Sequence, residues 1–271
     1  MISRRRLFCA SLGLLSAPAA WAQQRRSLED PLRLGVDPAL VASGLAKALQ
    51  QGFGRDTGVA VKLVAMPALP LLDAVERGEF DAALTNAPEA EARFEQQGFV
   101  HDRRLIAQGE FVLVGPAPKP RQKDPAAIAG LANAGDALIQ IRNAALAMPG
   151  TVVFLSAGDG SGAHAAEQAL WRQAKLAPTA PWYATAAPGG AGVAAEARAR
   201  GAYALVERGA WAAQGGAPLG VLVSGDPALA ESVHVMRAFK SRHPAAKLFV
   251  GWISGPKGRR LVAGQRAYRA A

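Results

Sequence analysis

The sequence predicts an α/β fold in two lobes that are joined by two crossover strands. Three observations predict it. Short apolar or β-branched runs alternate with amphipathic stretches along the chain, and a proline-rich segment, Pro116–Pro125, interrupts that alternation. The length of 271 residues also allows one or two globular lobes with substantial cores. The alternation favours sheets with mainly parallel strands.

The predicted strands and helices follow one another in order. The strands are short runs of β-branched or apolar residues: Leu32–Val36, Val59–Met66, Phe80–Thr85, Glu110–Gly115, Thr151–Leu155, Ala202–Glu207, Leu219–Ser224 and Val233–Phe239. The helices are the amphipathic segments between them, several of which stop at glycine or before proline: Pro38–Gln51, Leu71–Arg77, Glu89–Gln97, Ala126–Leu146, Gly162–Leu176 and Gly192–Arg200.

The segment Pro116–Pro125 is typical of a linker because it holds four prolines, two lysines and one arginine. It directly follows the predicted strand Glu110–Gly115. If this strand and Val233–Phe239 are the two crossovers, lobe one holds residues 31–115 and 236–271, and lobe two holds residues 116–235.

The N-terminus has the three parts of a secretory signal peptide in the right order. Arginines at positions 4–6 precede the apolar run Leu7–Ala20, and Ala20-Trp21-Ala22 offers small residues for cleavage. We therefore expect residues 1–22 to be removed and the mature protein to be soluble in the periplasm. The export route is either the general secretory route or the twin-arginine route. A basic N-terminus retained in the cytoplasm is the alternative.

The lone cysteine and the charge narrow the classes of protein. Cys9 would leave with the signal, which excludes disulfides, cysteine nucleophiles and thiolate metal sites. Cys9 also precedes most of the apolar run, too early for a lipoprotein cysteine, so no lipid anchor is expected. The net charge of +10, less the three signal arginines, leaves about +7. This charge is compatible with an anionic ligand or an acidic partner surface. The basic residues of the chain are dispersed and are not interleaved with aromatic residues, so no nucleic-acid partner is expected.

The segment Ser156–His164 is the most informative stretch. A strand leads through a glycine-rich turn into a helix, so free N–H groups and the positive end of the helix dipole point at one place. Such a turn can hold an anion. The candidate ligand-binding residues here are Ser156, Asp159, Ser161, Gly162 and Ala163. The alternative is that Asp159 or Ser161 only caps the helix.

Catalytic interpretations of this stretch fail on spacing. A nucleophile elbow needs glycines two residues before and after the serine, but Ser161 has Asp159 and Ala163 there. A dinucleotide site needs an acidic residue at the end of the next strand, and Trp182–Ala186 has none.

His164 with a nearby serine and aspartate is not a catalytic triad without geometry, and a surface or capping role is expected. The four histidines are scattered without ligand spacing, so we expect no metal site, no cofactor and no enzymatic activity.

Strand ends in the other lobe offer further candidates. Leu34–Val36 enters a helix at Asp37-Pro38, where Asp37 fits the N-cap and Pro38 the first helical position. The alternative role of Asp37 is contact with a cationic or amine group of a ligand. Asn86 and the cluster around Gly190 also follow strands, and both are candidates to line the crevice.

Eight segments along the mature chain form a characteristic series in order and spacing: Ser43-Gly44-Leu45, Asn86–Glu91, Asp102-Arg103-Arg104, Phe111–Pro116, the Ser156–His164 turn with Glu167 and Leu170-Trp171, Trp182-Tyr183, Ala202–Gly209 and Phe249–Trp252. Through these segments the chain resembles the tungstate-binding periplasmic components of ABC importers, within the type II solute-binding superfamily. The resemblance adds Ser43 to the candidate ligand-binding residues.

The resemblance implies a type II periplasmic binding protein fold that closes on tungstate or molybdate without a metal cofactor and delivers it to an ABC permease. We also expect the protein to be a monomer. The chain departs from the family at the anion donors. Val36-Asp37-Pro38-Ala39 replaces a Thr-Thr-Thr-Ser motif, and the positions of an arginine, an aspartate and a threonine in the turn hold Ala157, Gly160 and Ala163.

Losing charge-assisted donors at these positions predicts weak tungstate binding. A different, organic ligand and a role as a periplasmic sensing module are therefore the alternatives.

Overall fold

The computed structural model describes residues 27–118, 120, 123–190 and 192–271. The predicted signal peptide with Cys9 lies outside these residues. Within the described ranges, no helix is both long and apolar enough to cross a membrane.

Ten strands and ten α-helices make up the described chain. The strands are β1 (Leu32–Val36), β2 (Val61–Ala65), β3 (Ala82–Thr85), β4 (Val100–Pro116), β5 (Phe154–Ser156), β6 (Tyr183–Thr185), β7 (Ala204–Glu207), β8 (Leu219–Val223), β9 (Ala230–Ala238) and β10 (Arg269–Ala270). The helices are α1 (Pro38–Ala42), α2 (Leu45–Thr57), α3 (Ala68–Glu76), α4 (Pro88–Gln96), α5 (Ala134–Ala147), α6 (Gly162–Gln173), α7 (Val193–Arg200), α8 (Arg208–Gln214), α9 (Ala245–Ile253) and α10 (Pro256–Ala263).

The two lobes share the long strand β4. In lobe one the strand order is β10-β4-β9-β3-β1-β2, with β1 parallel to β2 and β3 and with β9 antiparallel to both β3 and β4. The later part of β4, Phe111–Pro116, pairs antiparallel with β7 and β8 in lobe two. The α/β fold with a crossover strand is confirmed. The expectation of mainly parallel sheets is wrong, because the chain leaves lobe one along β4 and returns along β9 in the opposite direction.

Two predicted helices have different bounds in the structure. Pro38–Gln51 is divided into α1 and α2 at Gly44, whose φ of +85° does not fit a helix. Helix α5 starts only at Ala134, because the Asp124 carboxylate accepts hydrogen bonds from the N–H groups of Ile128 and Ala129 and holds that segment as turns.

Each lobe has its own apolar core. In lobe one, Phe53 of α2 and Phe249 of α9 meet edge to face with ring centroids 5.0 Å apart under the sheet. In lobe two, Phe154 of β5 packs against Trp171 of α6 with centroids 5.1 Å apart. These cores fix the strand ends and helix starts that face each other between the lobes.

Candidate functional site between the lobes

Asp37 places a buried carboxylate between the lobes. It follows β1 and caps α1, where Oδ1 accepts from the N–H of Ala39 at 3.0 Å, as the sequence predicted. Its Oδ2 accepts from the N–H of Ala68 at the start of α3 and from the N–H of Gly162 at the start of α6, each at 3.2 Å. The side chain is 1% exposed. One carboxylate therefore collects donors from both lobes.

Close packing fixes the position of the α6 start. A Cβ on Gly162 would overlap the side-chain amide of Asn86, so no larger residue fits while that amide stays in place. The N–H of Leu69, in α3, donates to the carbonyl of Gly160 at 2.9 Å. The turn before α6 and the start of α3 are thus hydrogen-bonded to each other across the cleft.

Two more buried acids lie beside Asn86. The Asn86 Nδ2 atom donates to Glu231 Oε1 at 2.8 Å and lies 3.5 Å from Glu207 Oε1. Glu231 is 1% exposed and Glu207 is 6% exposed. Within the described part of the chain, Asn86 Oδ1 and Glu231 Oε2 have no hydrogen-bond partner. The group formed by Asp37, Asn86, Glu207 and Glu231 is named the carboxyl cluster below.

Burial dominates the electrostatics of the carboxyl cluster. It raises the pKa of Asp37 to about 6, against the lowering effect of the N–H groups of Ala39 and Gly162. Burial, and then the charge of Asp37, raises the pKa of Glu207 to about 8. Burial, and then Glu207, raises the pKa of Glu231 well above its ordinary value. At neutral pH the negative charge of the cluster therefore resides on Asp37, which holds the N–H donors.

Ser43 and Tyr268 lie on one side of the cluster. The Tyr268 hydroxyl donates to Ser43 Oγ at 3.2 Å, and Ser43 Oγ donates to the carbonyl of Leu40 at 3.2 Å. Burial and then the charge of Glu231 raise the pKa of Tyr268, which keeps its hydroxyl protonated. The predicted candidate Ser43 is thus held by its neighbours at the edge of the cluster.

The turn before α6 brings together several of the predicted residues. Ser161 caps the helix by accepting from the N–H of His164 at 3.4 Å, and Asp159 Oδ1 accepts from the N–H of Ser161 at 2.9 Å. Ser161 therefore caps α6, and a ligand role for Ser161 or Asp159 stays a prediction. His164 Nδ1 accepts from the N–H of Gly160 at 3.0 Å, which confirms its expected capping role. Asp159 is also near enough to raise the pKa of Asp37 by its charge.

The remaining predicted residues make other contacts. Ser156 is the buried last residue of β5, and Ala163 is packed into the core of lobe two. Gly190 lies in an exposed turn, where its N–H donates to the carbonyl of Ala187 at 3.1 Å. The structure therefore brings Gly162 into direct contact with both Asp37 and Asn86, whereas the hydrogen bond of Gly190 stays within its own turn.

Sequence reasoning missed Glu207 and Glu231. Glu207 ends strand β7 directly before α8, which is the same strand-to-helix pattern that singled out Asp37. The same reasoning from the sequence could therefore have found Glu207. Glu231 lies near the start of β9, where nothing in the local sequence distinguishes a buried acid from a solvated one. Among the residues that the structure describes, no group of three or more His, Cys, Asp or Glu side chains could hold a metal ion.

A two-lobed α/β protein with a buried polar cluster between its lobes has the architecture of the type II periplasmic binding proteins. Residues 27–254 match the model of the PBP superfamily domain, and the chain belongs to this family, in the branch that includes tungstate-binding proteins. It is 30% identical over 229 residues to the tungstate-binding protein TupA of Peptoclostridium acidaminophilum, covering 81% of this chain and 76% of that protein.

Solved structures agree with this assignment. The tungstate ABC transporter protein from Geobacter sulfurreducens is 28% identical with a TM-score of 0.74, covering 87% of this chain and 98% of that one. The tungstate-binding protein TupA from Desulfovibrio alaskensis is 27% identical with a TM-score of 0.68, covering 89% and 99%.

Proposed function

We propose that this protein is the extracytoplasmic solute-binding component of an ABC importer and that it holds a small ligand between its lobes. The observation that carries the proposal is the meeting of N–H donors from both lobes at the Asp37 carboxylate. Asp37 itself joins the two lobes at this point, so a ligand that lies beside it in the cleft and contacts both lobes favours the closed arrangement. Relatives named as tungstate-binding proteins support a small-solute function of this kind.

The same proposal covers the partner, the lobes and the site. The partner is an ABC permease, and the protein acts as a monomer without catalysis. The lobe bounds proposed are those expected from the sequence, residues 31–115 and 236–271 for lobe one and 116–235 for lobe two, with two changes. Strand pairing favours moving residues 111–115 to lobe two and residues 230–235 to lobe one. The ligand-binding candidates beyond the carboxyl cluster remain predictions: Ser43, Ser156, Asp159, Ser161, Gly162, Ala163 and Gly190.

We also propose that residues 1–22 are an export signal. The mature protein should then begin near Gln23 and be recovered from the periplasm. N-terminal sequencing of the exported protein measures this directly, and a mature form that still contains Cys9 would contradict it.

A thermal-shift screen of the mature protein tests the binding function. The screen should contain oxyanions, carboxylic acids, amino acids and amines, because a ligand at 100 times its dissociation constant stabilises a protein by about 2.7 kcal/mol. Hydrogen exchange should then show ligand protection in peptides over residues 66–72 and 158–164, but not over 245–253 in α9. Deleting the gene should abolish uptake of that solute.

Two results would contradict the proposal. The first is a screen in which no class of solute raises the melting temperature. The second is protection that appears only outside the cleft. A ligand that binds in the cleft but whose uptake is unchanged by the gene deletion would separate binding from transport and favour a sensing module.

A further inference from the structure

The Asp37 carboxylate does more than cap its own helix. A cap needs only the Oδ1 contact with Ala39, two residues along the chain. The Oδ2 atom instead accepts from Ala68 and Gly162, which are 31 and 125 residues away. These two N–H groups lie at the starts of α3 and α6, helices of 9 and 12 residues in different lobes. The second oxygen therefore sits where helix dipoles from both lobes favour negative charge.

The surroundings of this position are poor in further donors. Asn86 is 1% exposed, and its unpartnered Oδ1 is the amide atom nearest to the place of a Cβ on Gly162. Asn86 thus directs an acceptor toward the start of α6, and its donor is used by Glu231. A free oxyanion placed here would meet this acceptor and would have to share its N–H donors with Asp37. The Asp37 carboxylate and a free oxyanion are both hydrogen-bond acceptors, so the oxyanion could bind these N–H groups only by displacing the carboxylate.

We propose that Asp37 is a tethered anion, a part of the chain that occupies the anion position between the lobes and so excludes free oxyanions of the tungstate, molybdate and sulfate type. This proposal rests on the proposed function, because it assigns the specificity of that same site. Asp37 is then a specificity-determining residue. The solute of the unmodified protein is a small molecule that does not compete for the N–H groups of Ala68 and Gly162.

Calorimetric titration of tungstate at neutral pH tests the proposal with four proteins. They are the unmodified mature protein, Asp37→Ser, Asp37→Asn and the control Asp226→Ser. Serine keeps a cap for α1 but frees the donors of α3 and α6. Asparagine keeps the shape and an acceptor but removes the charge.

Asp226 is a matched control because it uses its carboxylate in the same way inside lobe two. Its Oδ1 accepts from the N–H of Ala228 in its own short helix, and its Oδ2 accepts from the N–H of Ala134 at the start of α5. Replacing it removes an equivalent cap without opening the cleft.

We expect Asp37→Ser to bind tungstate roughly a hundredfold or more tightly than the unmodified protein, because two charge-assisted hydrogen bonds become available. Asp37→Asn should show a smaller gain, and Asp226→Ser none. Equal tungstate affinity in the unmodified protein and Asp37→Ser overturns the proposal, and so does the absence of binding in both. If Asp37→Ser does not fold, as judged by circular dichroism, Asp37→Asn decides by the same criteria.

The two proposals fail differently. An unmodified protein that binds another solute in the cleft, with no gain of tungstate binding in the Asp37 variants, overturns the tethered anion alone. A protein that binds no solute before or after substitution overturns the proposed function as well.

Discussion

Glu207 is a buried acid next to two other acids, and the dependence of stability on pH should report its state. The change to make is Glu207→Gln, which keeps the shape and stays neutral at every pH. Burial and the nearby charge of Asp37 raise the pKa of Glu207 to about 8, from 4.5 for an unfolded glutamate. In the native protein the group therefore holds its proton over a pH range where the unfolded chain has released it.

The difference between the native and unfolded pKa of Glu207 sets the sign and size of the change in stability with pH. Stability from a group with a raised native pKa is fully present below the unfolded pKa and is lost as pH rises through the native pKa. For Glu207 the window runs from about pH 4.5 to about pH 8. At about 1.4 kcal/mol per pH unit, the loss is on the order of 4 kcal/mol across that window. Glutamine removes this loss, so the variant should match the unmodified protein near pH 4.5 and exceed it by a few kcal/mol at pH 8.5.

Urea denaturation at four pH values between 4.5 and 8.5 measures the free energy of unfolding of the Glu207→Gln variant and of the unmodified protein. The exposed Glu95 on α4 provides the control variant Glu95→Gln, which removes one carboxylate from the surface. Its free energy of unfolding should run parallel to that of the unmodified protein. If the Glu207→Gln curve is also parallel, the acid is ionised throughout and the electrostatic account of the cluster is wrong.

Two further predictions concern packing and a buried ion pair. Gly162→Ala should lower the free energy of unfolding by about 1–3 kcal/mol, because the added methyl group overlaps Asn86. The control Gly251→Ala, which has open space in α9, should leave the free energy of unfolding unchanged or raise it by up to about 1 kcal/mol. Urea denaturation measures both variants, and equal effects would contradict the overlap. Arg103→Met should lower the free energy of unfolding by on the order of 3 kcal/mol at pH 7 in the same assay. The reason is that the fully buried Glu91 loses the ion pair between its Oε2 atom and Arg103, which are 3.0 Å apart. An unchanged free energy of unfolding would show that the ion pair contributes nothing to stability.

The fold could be predicted well where local signals agree with tertiary structure. Strand Leu32–Val36 has the predicted bounds, and helix α6 begins at the predicted Gly162. The prediction failed where long-range pairing decides. Strand β4 begins at Val100 because His101–Glu110 pairs with β9, more than a hundred residues away, and its local sequence is too polar to show this.

The candidate site, like the fold, was predictable only where the signal is local. Asp37 and the turn before α6 could be found because a strand followed by a helix start is visible in the sequence. Their contact could not be found, since nothing in either segment shows that the N–H of Gly162 reaches a carboxylate 125 residues earlier. Glu231 was hidden because its burial is set by Asn86, β4 and the C-terminal Tyr268 together rather than by its neighbours in sequence.

The position of β9 has a consequence for the order in which the protein can form. β9 lies between β3 and β4 in the sheet of lobe one, yet it is synthesised after every strand and helix of lobe two. A nascent or truncated chain that ends before residue 230 must leave β3 and the first part of β4 as unpaired edges, which are templates for aggregation. Lobe two has its own strand pairs and core by then. We therefore expect lobe two to become structured first, and lobe one to complete its sheet only when β9 arrives as a late central strand.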